Sequence, residues 1–174
     1  MTAAAGGKTS QEVTLEKLKM KDLKAYYRVD ITEEQHRYVR VRKTRLIART
    51  VSSLGRGRIW LIRRGEEVCG YLGMWIDPGI DQFTIAPFII DQKAQRQGVG
   101  RAALRIAAGK LFDAGGRTVR LAVHPENQAA IALYEKEGFR FTGAAWGPED
   151  QVMGLKKEVF ARTLPVDNGG TDGI

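Results

Sequence analysis

The 174-residue chain has one cysteine, Cys69, and that scarcity excludes two classes of protein at once. A single thiol makes no intramolecular disulfide and no cysteine-based metal cluster. Histidine is almost as scarce, with His36 and His124 alone, so no His-rich metal site is expected and the metal expectation is none. Long apolar runs are missing too: none approaches the ~20 residues that span a bilayer, so no membrane partner is expected. The stretch Met1 to Lys8 lacks the apolar centre of a secretory signal. Together these absences lead to the expectation of a cytoplasmic protein. Acids are absent from one segment, Arg37 to Arg64, which holds ten lysines and arginines within a chain of net charge +8. An anionic cofactor, an acidic partner or nucleic acid could each use that charge. No aromatic stacking platform is interleaved with it, so nucleic acid is not the expected partner. The plainer reading is a solvated helix face.

What is present centres on Gln95-Arg96-Gln97-Gly98-Val99-Gly100-Arg101. An apolar run from Phe83 to Ile90 leads into it and an Ala/Leu-rich run from Ala102 to Phe112 leads out, giving strand, tight loop, helix. Gly98 and Gly100 permit positive φ or close approach of a ligand to the backbone. The helix that follows offers unpaired N–H groups and a positive dipole end, which favour phosphate. Arg96 and Arg101 add positive charge. The alternative is a Gly-containing turn with no ligand. Pro87 falls inside the Gln82–Ile90 strand, where it cannot donate to the ladder, so a bulge or splay is expected there.

Along the rest of the chain, residues 1–11 are expected to be disordered, 12–162 to form one domain, and 163–174 to be a flexible tail. Val13 to Met20 alternates as a strand, Lys21 to Asp30 reads as a short helix, and Thr32-Glu33-Glu34-Gln35 as a capping box. A basic helix is expected from there to about Val51. Arg58–Arg64 and Val68–Ile76 form a hairpin, the second strand weakened by Gly70 and Gly73. A helix from Val99 to Ala114, a strand to Val123, a helix Gln128–Glu137 with Asn127 as its N-cap, and strands from Phe139 and over Gln151–Glu158 complete the order. The fold class expected is α/β: a mixed, mostly antiparallel central sheet with helices on both faces.

Two segments carry a resemblance. Gln95-x-x-Gly98-x-Gly100 is similar to the acyl-CoA-binding loop of the GCN5-related N-acetyltransferases, the GNAT superfamily. Asn127-x-x-Ala130-x-x-Leu133-Tyr134-Glu135-Lys136-x-Gly138-Phe139 resembles the second signature of the same superfamily. Within it, Ile31-Thr32-Glu33-Glu34-Gln35-His36-x-Tyr38-Val39 and Phe88-Ile89-Ile90-Asp91 look like bacterial spermine/spermidine-type acetyltransferases. The sequence departs from that subfamily after Val39, where Arg40, Arg42, Lys43, Arg45 and Arg49 replace mostly neutral residues; a polycation would meet that wall unless the side chains point away.

The resemblance implies an acetyl-CoA-dependent N-acetyltransferase. The acetyl donor would be held by Gln95, Arg96, Gln97, Gly98, Val99, Gly100 and Arg101, with Asn127, and its pantetheine arm would pair with Phe88, Ile89 and Ile90 as an added strand. Tyr134, otherwise a core aromatic at helical spacing, becomes the candidate general acid toward the leaving thiolate. The base is left open among Asp77, Asp81, Glu67 and His124. Glu33 and Glu34, with Asp77 and Asp81, are candidates for holding the acceptor's ammonium group, although acids at a helix start also serve the dipole. The expected acceptor is a small-molecule primary amine, polyamine-like first, attacked directly in a ternary complex. An amine-bearing antibiotic, a protein amine, or a CoA-binding regulatory module without turnover are the alternatives, and a homodimer is left open.

Overall fold

The computed structural model describes residues 12–39, 42–53 and 55–163. The expected disordered N-terminus, and all of the expected tail but Thr163, lie outside them. Seven strands form one sheet: β1 (Val13–Lys17), β2 (Gly57–Arg64), β3 (Glu67–Asp77), β4 (Gln82–Ile90), β5 (Thr118–Val123), β6 (Arg140–Trp146) and β7 (Asp150–Lys156). Their order is β1-β2-β3-β4-β5-β7-β6. Every neighbouring pair is antiparallel except β4 and β5, which the crossover through α4 (Val99–Asp113) makes parallel. The other helices are α1 (Leu23–Arg28), α2 (Glu33–His36), α3 (Lys43–Ser52), α5 (Gln128–Lys136) and α6 (Lys157–Thr163).

Alternation along the strands sorts the apolar residues onto two faces. Ile62, Leu72, Met74, Phe83 and Ile85 join Leu104, Ala107 and Leu111 of α4 in the larger core. Ile59, Leu61, Tyr71 and Trp75 meet Tyr26 of α1 and Leu46 of α3 on the opposite face. Helices thus cover both faces of a mixed sheet, as the apolar pattern predicts.

The parallel β4–β5 pairing is short. It runs over Phe83↔Val119, Thr84↔Arg120 and Ile85↔Leu121 and then stops, although β4 continues to Ile90. On its other edge β4 is irregular too: Met74 pairs with Ile85 and Leu72 with Phe88, so Ala86 and Pro87 bulge opposite Gly73. The indole N–H of Trp75 donates to the Ala86 carbonyl (2.6 Å) and holds the bulge. A Cβ on Gly73 would stand 2.4 Å from that carbonyl oxygen, and one on Gly70 2.2 Å from the Ile89 carbonyl oxygen. These two glycines therefore admit β4 at close range and are more than weak points in β3.

Two further differences from the sequence reading have packing causes. The expected long basic helix is two helices, α2 and α3. After α2 the Tyr38 ring packs on His124 (5.1 Å between centroids) and Val39 enters the second core. The start of α3 is clasped to α1, where the Lys43 ammonium donates to the Tyr27 (2.9 Å) and Val29 carbonyls and the Tyr26 hydroxyl donates to the Lys43 carbonyl (3.3 Å). Tertiary contacts thus override a helical charge pattern. The last strand ends at Lys156, short of Glu158, because α6 turns back to seat Phe160 against Phe112 of α4.

Candidate active site

The splay between β4 and β5 opens a cleft with two arms. The first arm, about 630 Å³, lies between α2, the end of β4, the Gln95–Arg101 loop and the start of α5. Gly98 is the N-cap of α4 with φ of 78°, a left-handed conformation that suits glycine, and no side chain caps the helix. The first intrahelical bond is donated by Ala102 to the Gly98 carbonyl (3.1 Å), so the amides of Val99, Gly100 and Arg101 have no intrahelical acceptor. A bare helix N-terminus facing a cavity suits phosphate. A Cβ on Gly100 would sit 3.4 Å from Ile90 and 3.5 Å from Leu133, both lining residues, so glycine keeps this wall low. Arg96, at φ of 58°, holds a strained backbone on the same wall.

Polar side chains fix this arm. Gln95 donates from its amide nitrogen to the Ile90 carbonyl (3.0 Å) and to the Gln35 side-chain oxygen (2.9 Å), tying α2 to the loop. Gln35 also closes the expected capping box: its own N–H donates to the Thr32 hydroxyl (3.4 Å), and the Thr32 N–H donates to its side-chain oxygen (3.2 Å). Glu137, buried at 3% exposure, accepts from the Arg101 and Arg105 guanidiniums, one on each carboxylate oxygen. The sequence reading placed Arg101 at the site and missed the acid that aims it. Asn127 accepts from the Ala130 N–H (3.2 Å) as the N-cap of α5 and lines the cleft as well.

Tyr134 stands where the two arms meet and lines both. Its position follows from α5: the Asn127 cap starts the helix, and the ring falls on the buried stripe between Phe88 (6.3 Å) and Phe139 (6.0 Å). Burial pushes its phenol well above the usual value, because phenolate would be poorly solvated there. Its hydroxyl makes no hydrogen bond among the described residues. The Tyr134 hydroxyl therefore keeps its proton over the ordinary pH range, at the junction of the two arms.

The second arm, about 450 Å³, lies between α3, the β4 bulge, the end of β5 and the β6–β7 turn. Arg42, Arg45 and Arg49 line it together with Trp146, Glu149 and Asp150. The Arg49 guanidinium lies 3.9 Å from the centroid of Trp75, the residue that holds the bulge. His124 is at the inner end, its Nδ1 accepting from the Glu126 N–H (3.3 Å).

Phe88, Ile89, Ile90, Gln95, Arg96, Gly98, Gly100, Arg101, Asn127 and Tyr134, all picked out in the sequence, line the cleft together. Gln97 and Val99 do not present side chains to it. Gln97 accepts from Arg64 (2.6 Å) and donates to the Lys93 carbonyl (2.7 Å), and Val99 is buried in the core. Glu34 lines the first arm, whereas Glu33 faces a shallow surface outside it. Asp77 and Asp81 are at the opposite end of β4, Asp77 paired with Arg56 (3.1 Å) and Asp81 near Arg117 (3.8 Å). Their distance along the strand removes both from the cleft. Glu67 pairs with Arg64 (3.0 Å) at the β2–β3 turn. Arg45 and Arg49 of α3 and its N-cap Arg42 were read as part of a solvated face. Their spacing, three and four residues apart, put them on one helix side and was visible in the sequence.

Comparison with known proteins bears on the family and the fold. The model of the Acetyltransferase (GNAT) family matches residues 20–139. Over 60 residues the chain is 43% identical to [ribosomal protein bS18]-alanine N-acetyltransferase of Escherichia coli K12, a match covering 34% of this chain and 40% of that protein. The enzyme of the same name from Salmonella typhimurium is 35% identical over 81 residues, covering 42% of this chain and 55% of it. The matches thus span about half or less of these relatives' length. Among solved structures, ribosomal-protein-S18-alanine N-acetyltransferase from E. coli aligns with a TM-score of 0.63 at 27% identity, over 83% of this chain and 93% of that one. Spermidine N-acetyltransferase from Vibrio cholerae, in complex with CoA and spermine, gives 0.72 at 17% identity over 86% and 98%, a likeness of fold.

Proposed function

The chain belongs to the GNAT acetyltransferase family, and from that premise we propose that it is an acetyl-CoA-dependent N-acetyltransferase acting on a primary amine. One observation carries the reading: two arms of a cleft converge on a buried, neutral Tyr134. The arm at the bare end of α4 takes the donor's pyrophosphate on backbone amides, with Arg96 and Arg101 beside it. The residues 86–90, free of β5, offer main-chain groups to the pantetheine. The amine enters by the other arm.

The step is direct. The neutral amine nitrogen attacks the thioester carbonyl and forms the C–N bond, the C–S bond breaks, and the leaving thiolate takes the Tyr134 hydroxyl proton. The proton lost from the new amide nitrogen passes to water, from which the Tyr134 phenolate is reprotonated. An acetyl-enzyme through Cys69 is disfavoured, because that thiol is buried in β3 and its pKa is raised mainly by burial.

Two acceptor classes follow from the likenesses: a polyamine, and a protein α-amine such as the alanine named for the E. coli relative. A chemical observation favours the second. Nδ1 of His124 accepts from the Glu126 N–H, so that nitrogen is not available to take a proton from an incoming amine. An α-amine, with pKa about 7.7–8.0, has a large neutral fraction near pH 7.5, whereas an alkyl amine near 10.4 has almost none.

The test is release of free thiol from acetyl-CoA across a panel of amines. Acceptor-dependent release is expected. Tight CoA binding without release for any amine would leave a regulatory CoA module in its place.

A further inference from the structure

We propose that the acceptor is a primary amine carrying an anionic group close to the amine, recognised by the arginine row Arg42, Arg45 and Arg49. The inference rests on the acetyltransferase reading and assigns the specificity of the second arm of the cleft.

Arg42, the N-cap of α3, and Arg45 and Arg49, on the helix itself, line the arm that reaches Tyr134. None of them is paired with a carboxylate among the described residues. The Arg49 guanidinium lies over the ring of Trp75, which holds the β4 bulge, so this part of the arm is tied to the frame of the site. Unpaired arginines that converge on a cavity are suited to an oxyanion, which they bind with charge-assisted, often bidentate bonds.

Glu149 and Asp150 line the same arm with Trp146, and both residues have partners of their own. A polycation is repelled by the three arginine charges. An acceptor with an oxyanion close to its amine meets the arginine row while its amine reaches Tyr134. Two sources share that chemistry, a free amino acid and the N-terminus of a peptide with an acidic residue at its second or third position.

The experiment compares kcat/KM of the full chain for four acceptors: Ala-Asp-Glu-led and Ala-Lys-Lys-led peptides, free glutamate and spermidine. The same panel is run on Arg45→Gln and on Arg42→Gln/Arg45→Gln, with CoA binding followed by calorimetry. Wild type is expected to prefer the acidic peptide or glutamate; which of the two wins identifies the source. Loss of one charge-assisted contact should raise KM for the preferred anionic acceptor about tenfold to a hundredfold and should not move CoA affinity. The handicap of spermidine should shrink in the same variants. A wild-type preference for spermidine or for the lysine-rich peptide would overturn the proposal and leave the acetyltransferase reading standing. So would an acidic-to-basic preference ratio that the arginine substitutions fail to change. No thiol release with any amine would overturn both.

Discussion

The two arms of the cleft are built from different materials. The donor arm is organised by backbone features within a short stretch of chain, a bare helix end, a left-handed glycine and a strand end open on its β5 edge, with polar side chains bracing them. The acceptor arm is mostly side chains, brought from α3, β4, β5 and the β6–β7 turn. Backbone sites need fixed glycine spacing and tolerate little else, whereas side-chain sites can be rewritten one residue at a time. On the proposed reading, the first arm carries the features shared across a family and the second sets what the individual chain accepts.

The largest expected effect strikes the point both arms share. Tyr134→Phe should lower kcat by about 10²–10³-fold, the usual weight of a general acid, with CoA affinity within a factor of about two. Steady-state thiol release and calorimetry check this together, and an unchanged kcat would remove Tyr134 as the proton donor. The same residue makes a pH prediction. Burial raises the pKa of Tyr134, so the hydroxyl keeps its proton as pH rises past the ordinary tyrosine range. The kcat profile should show no descending limb up to pH 10, and one centred near pH 9 would contradict the assignment.

Next in size is a change confined to the donor arm. Gly98→Val forces a β-branched residue to the left-handed N-cap of α4, and CoA should bind about tenfold to a hundredfold more weakly, with the acceptor profile unaltered. A shift in acceptor preference in this variant would break the division between the two arms. Smaller still, Glu137→Gln leaves Arg101 and Arg105 without their shared buried acid. Both arginines are partly exposed, so a loss of about 1–3 kcal/mol in denaturant melts is expected. The smallest effect belongs to Asp77→Asn, which removes only an exposed pair with Arg56; stability should change by less than about 1 kcal/mol and kinetics not at all.

The same division explains what the sequence revealed. The strand–loop–helix around Gly98, the Thr32 capping box and the disturbance at Pro87 all arise from local backbone chemistry, and each is legible in a few adjacent residues. Glu137 looked like one more charge at a helix end, because its value lies in two arginines on another helix. Gly73 looked like a flaw in β3, because the carbonyl it makes room for is on β4. Asp77 and Asp81 were placed near the chemistry by chain proximity, but a nine-residue strand separates its two ends by the depth of the sheet. The arginines of α3 had the right spacing, yet only the position of Trp75 decides which way that face is turned.

The sheet is interrupted beyond Ile85, and a ligand that pairs there completes it. Such a ligand binds the folded chain and has no counterpart site on the unfolded one, so at 100 times its Kd it adds about 2.7 kcal/mol to folding. The melting temperature of this protein should then rise with the amount of acetyl donor present. In a cell, the stability of the folded chain would follow the pool of CoA and its thioesters.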